Sequence, residues 1–216
     1  MSRIDKAGFA SRLLNDAQAL GLEMSPDQAE TLVAYLVLLD KWNGVYNLTA
    51  IRDPEQMRLQ HLTDSLALLP ALDARGVKSV LDVGTGGGLP GMVLAIMRPS
   101  WRIVLNDIVQ KKTAFLIQAK ATLQLGNVDV HTGRVEAFDD PHRFDAVVSR
   151  AFADLGDFVT LSKHLVAAGG ALFAMKGQRP DEEVGRLPVG AAVERMFSLD
   201  VPGLQAARHV VVVRLD

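Results

Sequence analysis

The chain has 216 residues, 49% apolar and 22% charged, enough for one well-buried domain with an appendage and too few for two full domains. Its formal net charge of −2 lends no support to a nucleic-acid partner at the level of composition, so any such contact rests on a local patch. There is no cysteine, which removes disulfides, thiolate metal sites and cysteine nucleophiles together; no run of about 20 apolar residues and no signal-peptide core occurs, which predicts a cytoplasmic protein with no membrane partner.

Ala7, Ala10, Leu13, Leu14, Ala17 and Leu20 recur at helical spacing, with Gly21 placed to end the helix. Ser25, Pro26 and Gln28 match an N-cap, a first-turn proline and a capping-box partner for a second helix striped by Ala29, Leu32, Val33, Leu36 and Leu39. After the linker KWNGVYNLTAIRD, the residues Asp53, Pro54 and Gln56 repeat the start signal for a third helix, which carries Met57, Leu62, Leu66 and Leu69 and is expected to stop at Pro70. From Val77 the rhythm becomes strand, turn, helix, with strands near 79–83, 102–106, 127–131, 144–149 and 171–176. Ala191–Leu199 and the β-branched run His209–Leu215 read as a terminal hairpin. The expected architecture is α/β: a Rossmann-like, mostly parallel seven-stranded sheet with helices on both faces and an antiparallel C-terminal hairpin. Residues 1–76 are expected as an N-terminal helical extension packed on a core formed by 77–216.

The stretch VLDVGTGGGLPG, Val80 to Gly91, puts an acid and a run of glycines where a buried strand turns into the helix Pro90 to Met97. The dinucleotide register G-x-G-x-x-G fails from Gly84, where the third position is Leu89, and from Gly86 it succeeds only after Gly84 and Thr85 have broken the strand. The register D-x-G-x-G-x-G, Asp82 through Gly84, Gly86 and Gly88, fits without adjustment and is the pattern of S-adenosylmethionine (AdoMet) enzymes. Asp107, at the end of the next strand, is placed to accept hydrogen bonds from both hydroxyls of an adenosine ribose; it is also placed to cap the helix that starts near Gln110.

Five segments together resemble the bacterial small-subunit (16S) ribosomal RNA guanine-N7 methyltransferase family, the RsmG or GidB type: KWNGVYNLTAIRDP, HLTDSL, LDVGTGGGLPG, SRAFADL and MKGQ. W-N-x-x-Y-N-L-T followed by H-x-x-D-S-L is the specific part. The resemblance implies AdoMet as cofactor, S-adenosylhomocysteine as product, no metal, ribosomal RNA or the small subunit as partner, and a monomer. It implies that Gly84 and Leu89 line the methionine and adenine parts of the cofactor, that Asp107 holds the ribose, that Val135 and Glu136 flank the adenine, and that Arg150 stands where cofactor and substrate meet. Gly87 occupies a position where relatives often carry alanine or proline, and Asn106 one where an apolar residue is common.

Without cysteine, covalent activation of a pyrimidine C5 is excluded, and the position of the [D/N/S]-P-P-[Y/F] loop used on exocyclic amines reads SRAF. Guanine N7 carries an in-plane lone pair that attacks a sulfonium methyl without base, metal or covalent intermediate. Arg150 is expected on guanine O6 or a phosphate, since a donor on N7 would block the nucleophile; the alternative is a structural ion pair. Asn47, with Trp42 and Tyr46, sits in a loop suited to stacking on an unstacked base, although aromatics at such a junction are more often anchors for the N-terminal helices. His61 and Asp64, at i and i+3, share a helix face and are within reach of each other; their expected role is to brace the linker. Lys176 falls at the sheet edge where α/β folds bind ligands, the alternative being a solvated surface lysine. Two rival functions are a small-molecule AdoMet methyltransferase and a nicotinamide-dependent oxidoreductase.

Overall fold

The computed structural model describes residues 4–150, 152 and 154–216. Ala151 and Ala153 of SRAFADL, and the first three residues of the N-terminal extension, lie outside the described residues.

Helix α1 (Lys6–Ala19) starts where Asp5 accepts the Gly8 N–H at 3.2 Å, and Gly21, at φ 70°, turns the chain after it. Helix α2 (Pro26–Tyr46) carries the full capping box: Ser25 Oγ accepts from Gln28 N at 3.1 Å and Gln28 Oε1 from Ser25 N at 2.9 Å. α2 does not stop at the linker. Tyr35, Leu39, Trp42 and Tyr46 continue one helical stripe, so Trp42 and Tyr46, expected in a loop, lie on its last turns. Trp42 stacks on Tyr46 with ring centroids 5.3 Å apart and meets Phe115 at 5.7 Å, which is the anchoring role. Asn47 ends the helix in the left-handed region at φ 51°.

The third expected helix is subdivided. Asp53 accepts the Gln56 N–H at 2.9 Å to open α3 (Pro54–Met57), a π-helical stretch follows at Arg58–Thr63, and α4 covers Asp64–Leu66. Pro70 does not stop this segment; it sits in the first turn of α5 (Leu69–Ala74), where its missing N–H removes no helical bond.

The strands are β1 (Ser79–Val83), β2 (Arg102–Asp107), β3 (Val128–Thr132), β4 (Phe144–Ser149), β5 (Val166–Lys176), β6 (Ala191–Ser198) and β7 (His209–Leu215), in the spatial order β3-β2-β1-β4-β5-β7-β6. β1 to β5 pair in parallel and β7 runs antiparallel between β5 and β6, as expected for the terminal hairpin. Helices α6 (Gly91–Met97), α7 (Gln110–Thr122), α8 (Leu155–Ser162) and α9 (Asp181–Val184), with 3₁₀ turns at Val135–Ala137 and Lys163–Leu165, complete the described elements.

Alternation along the strands sends Val80, Ile103, Ala146 and Phe173 to one core and Leu81, Val104, Val147 and Leu172 to the other, which α8 covers. The first core is the one the N-terminal helices share. Its centre is α6, whose seven residues are all buried; a helix apolar on every side needs cover on its outer face, and α2 and α4 supply it. The Gln28 amide reinforces that packing by donating to the Ile96 and Met97 carbonyls, each at 3.2 Å.

Candidate active site

The parallel strands all end at one edge, and the glycine loop leaves β1 there. Asp82 is wholly buried, and its Oδ2 accepts from Thr85 Oγ1 at 2.6 Å and from Gly91 N at 2.7 Å, so it joins the start of the loop to the first turn of α6. Burial drives its pKa up to about 6, against the pull of the Thr85 and Gly91 hydrogen bonds and of Arg150. Gly91 must be glycine for packing reasons, because a Cβ there would stand 2.2 Å from Leu105 Cδ2 and 2.9 Å from Asp82 Oδ2. Gly86, at φ 61°, turns its N–H onto Asp107 Oδ2 at 2.9 Å. The other Asp107 oxygen accepts from Val109 N at 2.9 Å, and Lys112 Nζ lies 3.6 Å from the carboxylate. Asn106, before it, donates its amide to His131 Nδ1 at 2.9 Å and to the Gly133 carbonyl at 3.0 Å, which keeps a polar residue buried at the strand end.

A cavity of about 460 Å³ opens beside this loop, lined by Gly84, Asp107, Ile108, Val135, Glu136 and Phe152 among others. Of the positions singled out in the sequence, Gly84, Asp107, Val135 and Glu136 come together here, Val135 and Glu136 on a single 3₁₀ turn. Asp82, Gly86, Gly88 and Leu89 do not line it. The first three shape the loop, and the Leu89 side chain is packed in the core.

A second, smaller cavity of about 280 Å³ lies at the same strand edge, bounded by His61, Asp64, Arg150, Lys176 and Arg208, with Gln60 on its wall. Arg150 Nη1 donates to the Gln60 carbonyl at 2.9 Å and stands 3.6 Å from Asp64 Oδ2, while Arg208 Nε donates to Asp64 Oδ1 at 3.0 Å. Burial pushes the Asp64 carboxyl up, and the two arginines pull it back. His61 and Asp64 share no hydrogen bond, each taking another partner. His61 Nε2 is 2.9 Å from Thr49 Oγ1, which also accepts from Ile51 N at 3.1 Å, so the histidine braces the linker directly. Burial, and then Arg150, lower the His61 pKa to about 4, so the ring is neutral at physiological pH.

Lys176 is no solvated surface lysine: its side chain is 12% exposed and its Nζ donates to Glu183 Oε2 at 2.7 Å and to the Phe152 carbonyl at 3.3 Å. Asn47 is exposed, accepts from Arg52 Nη2 at 2.7 Å, and borders neither cavity. Sequence reasoning missed Arg208 altogether. It also missed Tyr35, buried on α2, whose hydroxyl donates to the Gly87 carbonyl at 2.5 Å and so ties the N-terminal helices to the loop. Asn43, in the W-N pair, organises the linker by accepting from Thr49 N at 2.9 Å. A wider groove of about 620 Å³ between α1, α2 and the end of α7 contains no residue of the glycine loop or strand edge.

A parallel sheet with an antiparallel seventh strand inserted before the edge, and a glycine loop whose acid partner ends β2, define a Rossmann-like methyltransferase. Solved structures agree at the level of fold. The O-methyltransferase TomG from Streptomyces achromogenes, in complex with SAM, matches at TM-score 0.59 and 15% identity over 98% of this chain and 99% of its own. TrmN from Thermus thermophilus matches at TM-score 0.55 and 20% identity over 70% of this chain and 48% of its own. The family model GidB, rRNA small subunit methyltransferase G, matches residues 28–211. Ribosomal RNA small subunit methyltransferase G of Burkholderia pseudomallei (strain 1106a) is 60% identical over 209 residues, 94% of this chain and 90% of the relative. The protein of the same name from Burkholderia mallei (strain NCTC 10229) is likewise 60% identical, over 94% and 91%. The chain belongs to the GidB family and is a methyltransferase, as the linker motifs implied. Among the described residues no helix is long and apolar enough to cross a membrane.

Proposed function

We propose that this methyltransferase moves the methyl group of AdoMet to N7 of a guanine in small-subunit ribosomal RNA. The observation that carries the cofactor assignment is the Asp107 carboxylate on the wall of the 460 Å³ cavity. Each of its oxygens already accepts one backbone N–H, which fixes the group's direction and leaves one lone-pair site on each for a ribose hydroxyl. Apolar walls from Ile108, Val135, Phe152 and Leu161 suit an adenine ring, and Glu136 stands at the rim. These residues fit AdoMet, with Gly84 giving close backbone approach and Asp82, Gly86, Gly88 and Leu89 acting through the shape of the loop.

When bound, AdoMet supplies a methyl carried on a cationic sulfur, ready for displacement. The chain's own residues have then to position the acceptor and exclude water. Alignment of this kind contributes roughly 7–11 kcal/mol when the geometry is good, enough for an acceptor with a free lone pair and no proton to lose in plane. The arrangement supports N7: Arg150 is held by Gln60 and Asp64 in the neighbouring cavity, where its donors are available to an acceptor atom or a phosphate. We assign Arg150 to the substrate side, with Lys176 behind it as a tether for the loop after β4, and Asn47 to the outer RNA-facing rim.

Titration calorimetry tests the cofactor: AdoMet is expected to bind and NAD not to. Labelled-methyl transfer then separates substrate classes. Label is expected in small ribosomal subunits isolated from a strain lacking this gene; label only in small metabolites would overturn the reading.

A further inference from the structure

Arg208 reaches the strand edge for a topological reason. β7 runs antiparallel beside β5 with His209 opposite Lys176, so the residue before β7 arrives where β5 ends. There it meets Asp64, 144 positions earlier, and Arg150, the residue after β4. The Asp64 side chain is 2% exposed and its two oxygens are divided between the two arginines, while their side chains are 24% and 19% exposed for Arg150 and Arg208. A buried acid shared in this way holds two guanidinium groups side by side, and each keeps donors beyond those engaged with Asp64, the Gln60 carbonyl and the Ala207 carbonyl. The cavity in front of them, about 280 Å³, falls below the roughly 300–1,000 Å³ of drug-sized pockets, which suits a single ring system better than a whole nucleotide. His61, 3% exposed, is on its wall, and its Nδ1 is buried with no hydrogen-bond partner among the described residues. Buried polar atoms of that kind call for an explanation, and a bound ligand is one.

We propose that this cavity is the slot for the target guanine ring, with O6 accepting from the Arg150 and Arg208 pair and Asp64 as the positioning residue that holds the pair. The proposal rests on methyl transfer to guanine as the function. Donors facing position 6 of a purine select guanine, whose O6 accepts, against adenine, whose 6-amino group presents donors to donors. A contact limited to O6 leaves the N7 lone pair uncovered for the methyl group. Arg208 thereby becomes a specificity-determining residue and Asp64 acts through it.

The experiment uses full-length protein saturated with S-adenosylhomocysteine, labelled for NMR at the arginine Nε–H groups and histidine rings, titrated with GMP and separately with AMP. GMP is expected to shift the Arg150, Arg208 and His61 signals, with AMP at least about tenfold weaker, as loss of a charged hydrogen bond implies. In Arg208→Ala the GMP response at His61 is expected to weaken at least about tenfold while affinity for S-adenosylhomocysteine stays within twofold. Equal responses to GMP and AMP, or no GMP response at these three groups up to its solubility limit, would overturn the slot, and that comparison needs only wild-type protein. Protein from the same batch, without S-adenosylhomocysteine, is incubated with AdoMet and small subunits from a strain lacking this gene: formation of 7-methylguanosine without GMP selectivity sinks the slot alone, whereas its absence sinks the proposed function.

Discussion

Replacing Asp107 by asparagine separates its two possible roles, ribose acceptor and loop clamp. The carboxylate is 4% exposed and accepts from Gly86 N and Val109 N, both at 2.9 Å, one on each oxygen. An asparagine amide has only one oxygen. Whichever way it turns, one backbone N–H faces an NH2 group and is left buried and unpaired, at about 1–3 kcal/mol. In a domain of this size each kcal/mol moves Tm by about 2–4 °C, so the melting temperature is expected to fall by roughly 2–12 °C. The effect on AdoMet is separate. Two ribose hydroxyls that would have bonded a charged carboxylate, at about 1.5–3 kcal/mol each, meet one neutral acceptor and one donor. A loss of about 2–4 kcal/mol follows, or roughly 30- to 1,000-fold in Kd, read by calorimetry at a temperature where the variant is folded. A lowered Tm with AdoMet affinity within threefold of wild type would show that Asp107 only clamps the loop, and the cofactor assignment would lose its main support.

Three further outcomes follow from the packing and the titrations. Tyr35→Phe removes the donor to the Gly87 carbonyl, 2.5 Å away in the core, and is expected to lower stability by about 1–3 kcal/mol and weaken AdoMet binding; urea unfolding with an unchanged midpoint would mean that the tie between α2 and the loop contributes nothing. Gly91→Ala puts a methyl 2.2 Å from Leu105 Cδ2, so overpacking of about 1–3 kcal/mol is expected to outweigh the gain of up to about 1 kcal/mol from alanine in a helix, and a variant more stable than wild type would contradict this. His61, neutral in the fold until about pH 4, takes a proton in the unfolded chain near 6.5, so acidification through that window favours unfolding. Asp82, raised to about 6, works in the opposite sense, and only a difference measurement isolates the histidine. Relative to wild type, His61→Gln is therefore expected to gain about 3 kcal/mol between pH 6.5 and pH 4; a difference that does not change with pH would refute the burial of a neutral ring.

The elements with local signals were readable in advance. The caps at Ser25 and Asp53, the glycine turn, the strand rhythm and the terminal hairpin all have causes that lie within a few residues. The π-helical stretch has a trace in the sequence: Met57 to Leu62 is a spacing of five, which suits an i to i+5 turn and not one face of an α-helix. That wider turn also changes how His61 and Asp64 face, and each takes a different partner: Thr49 for His61, the two arginines for Asp64. The start of the linker is helical because Trp42 packs on Phe115, a contact with a helix far along the chain, and Tyr46 stacks on Trp42. Arg208 was invisible for a similar reason. Its meeting with Asp64 depends on β7 lying next to β5, and no local pattern encodes which strands become neighbours.

The central claim is tested most directly by locating the transferred methyl group. Small subunits from a strain lacking this gene are incubated with the purified protein and AdoMet, and the RNA is digested and mapped by mass spectrometry. The account predicts one new methyl group, on N7 of a single guanine of the small-subunit RNA. A methyl on ring carbon, on an exocyclic amine or on the ribose, or no gain over the untreated subunits, would contradict it.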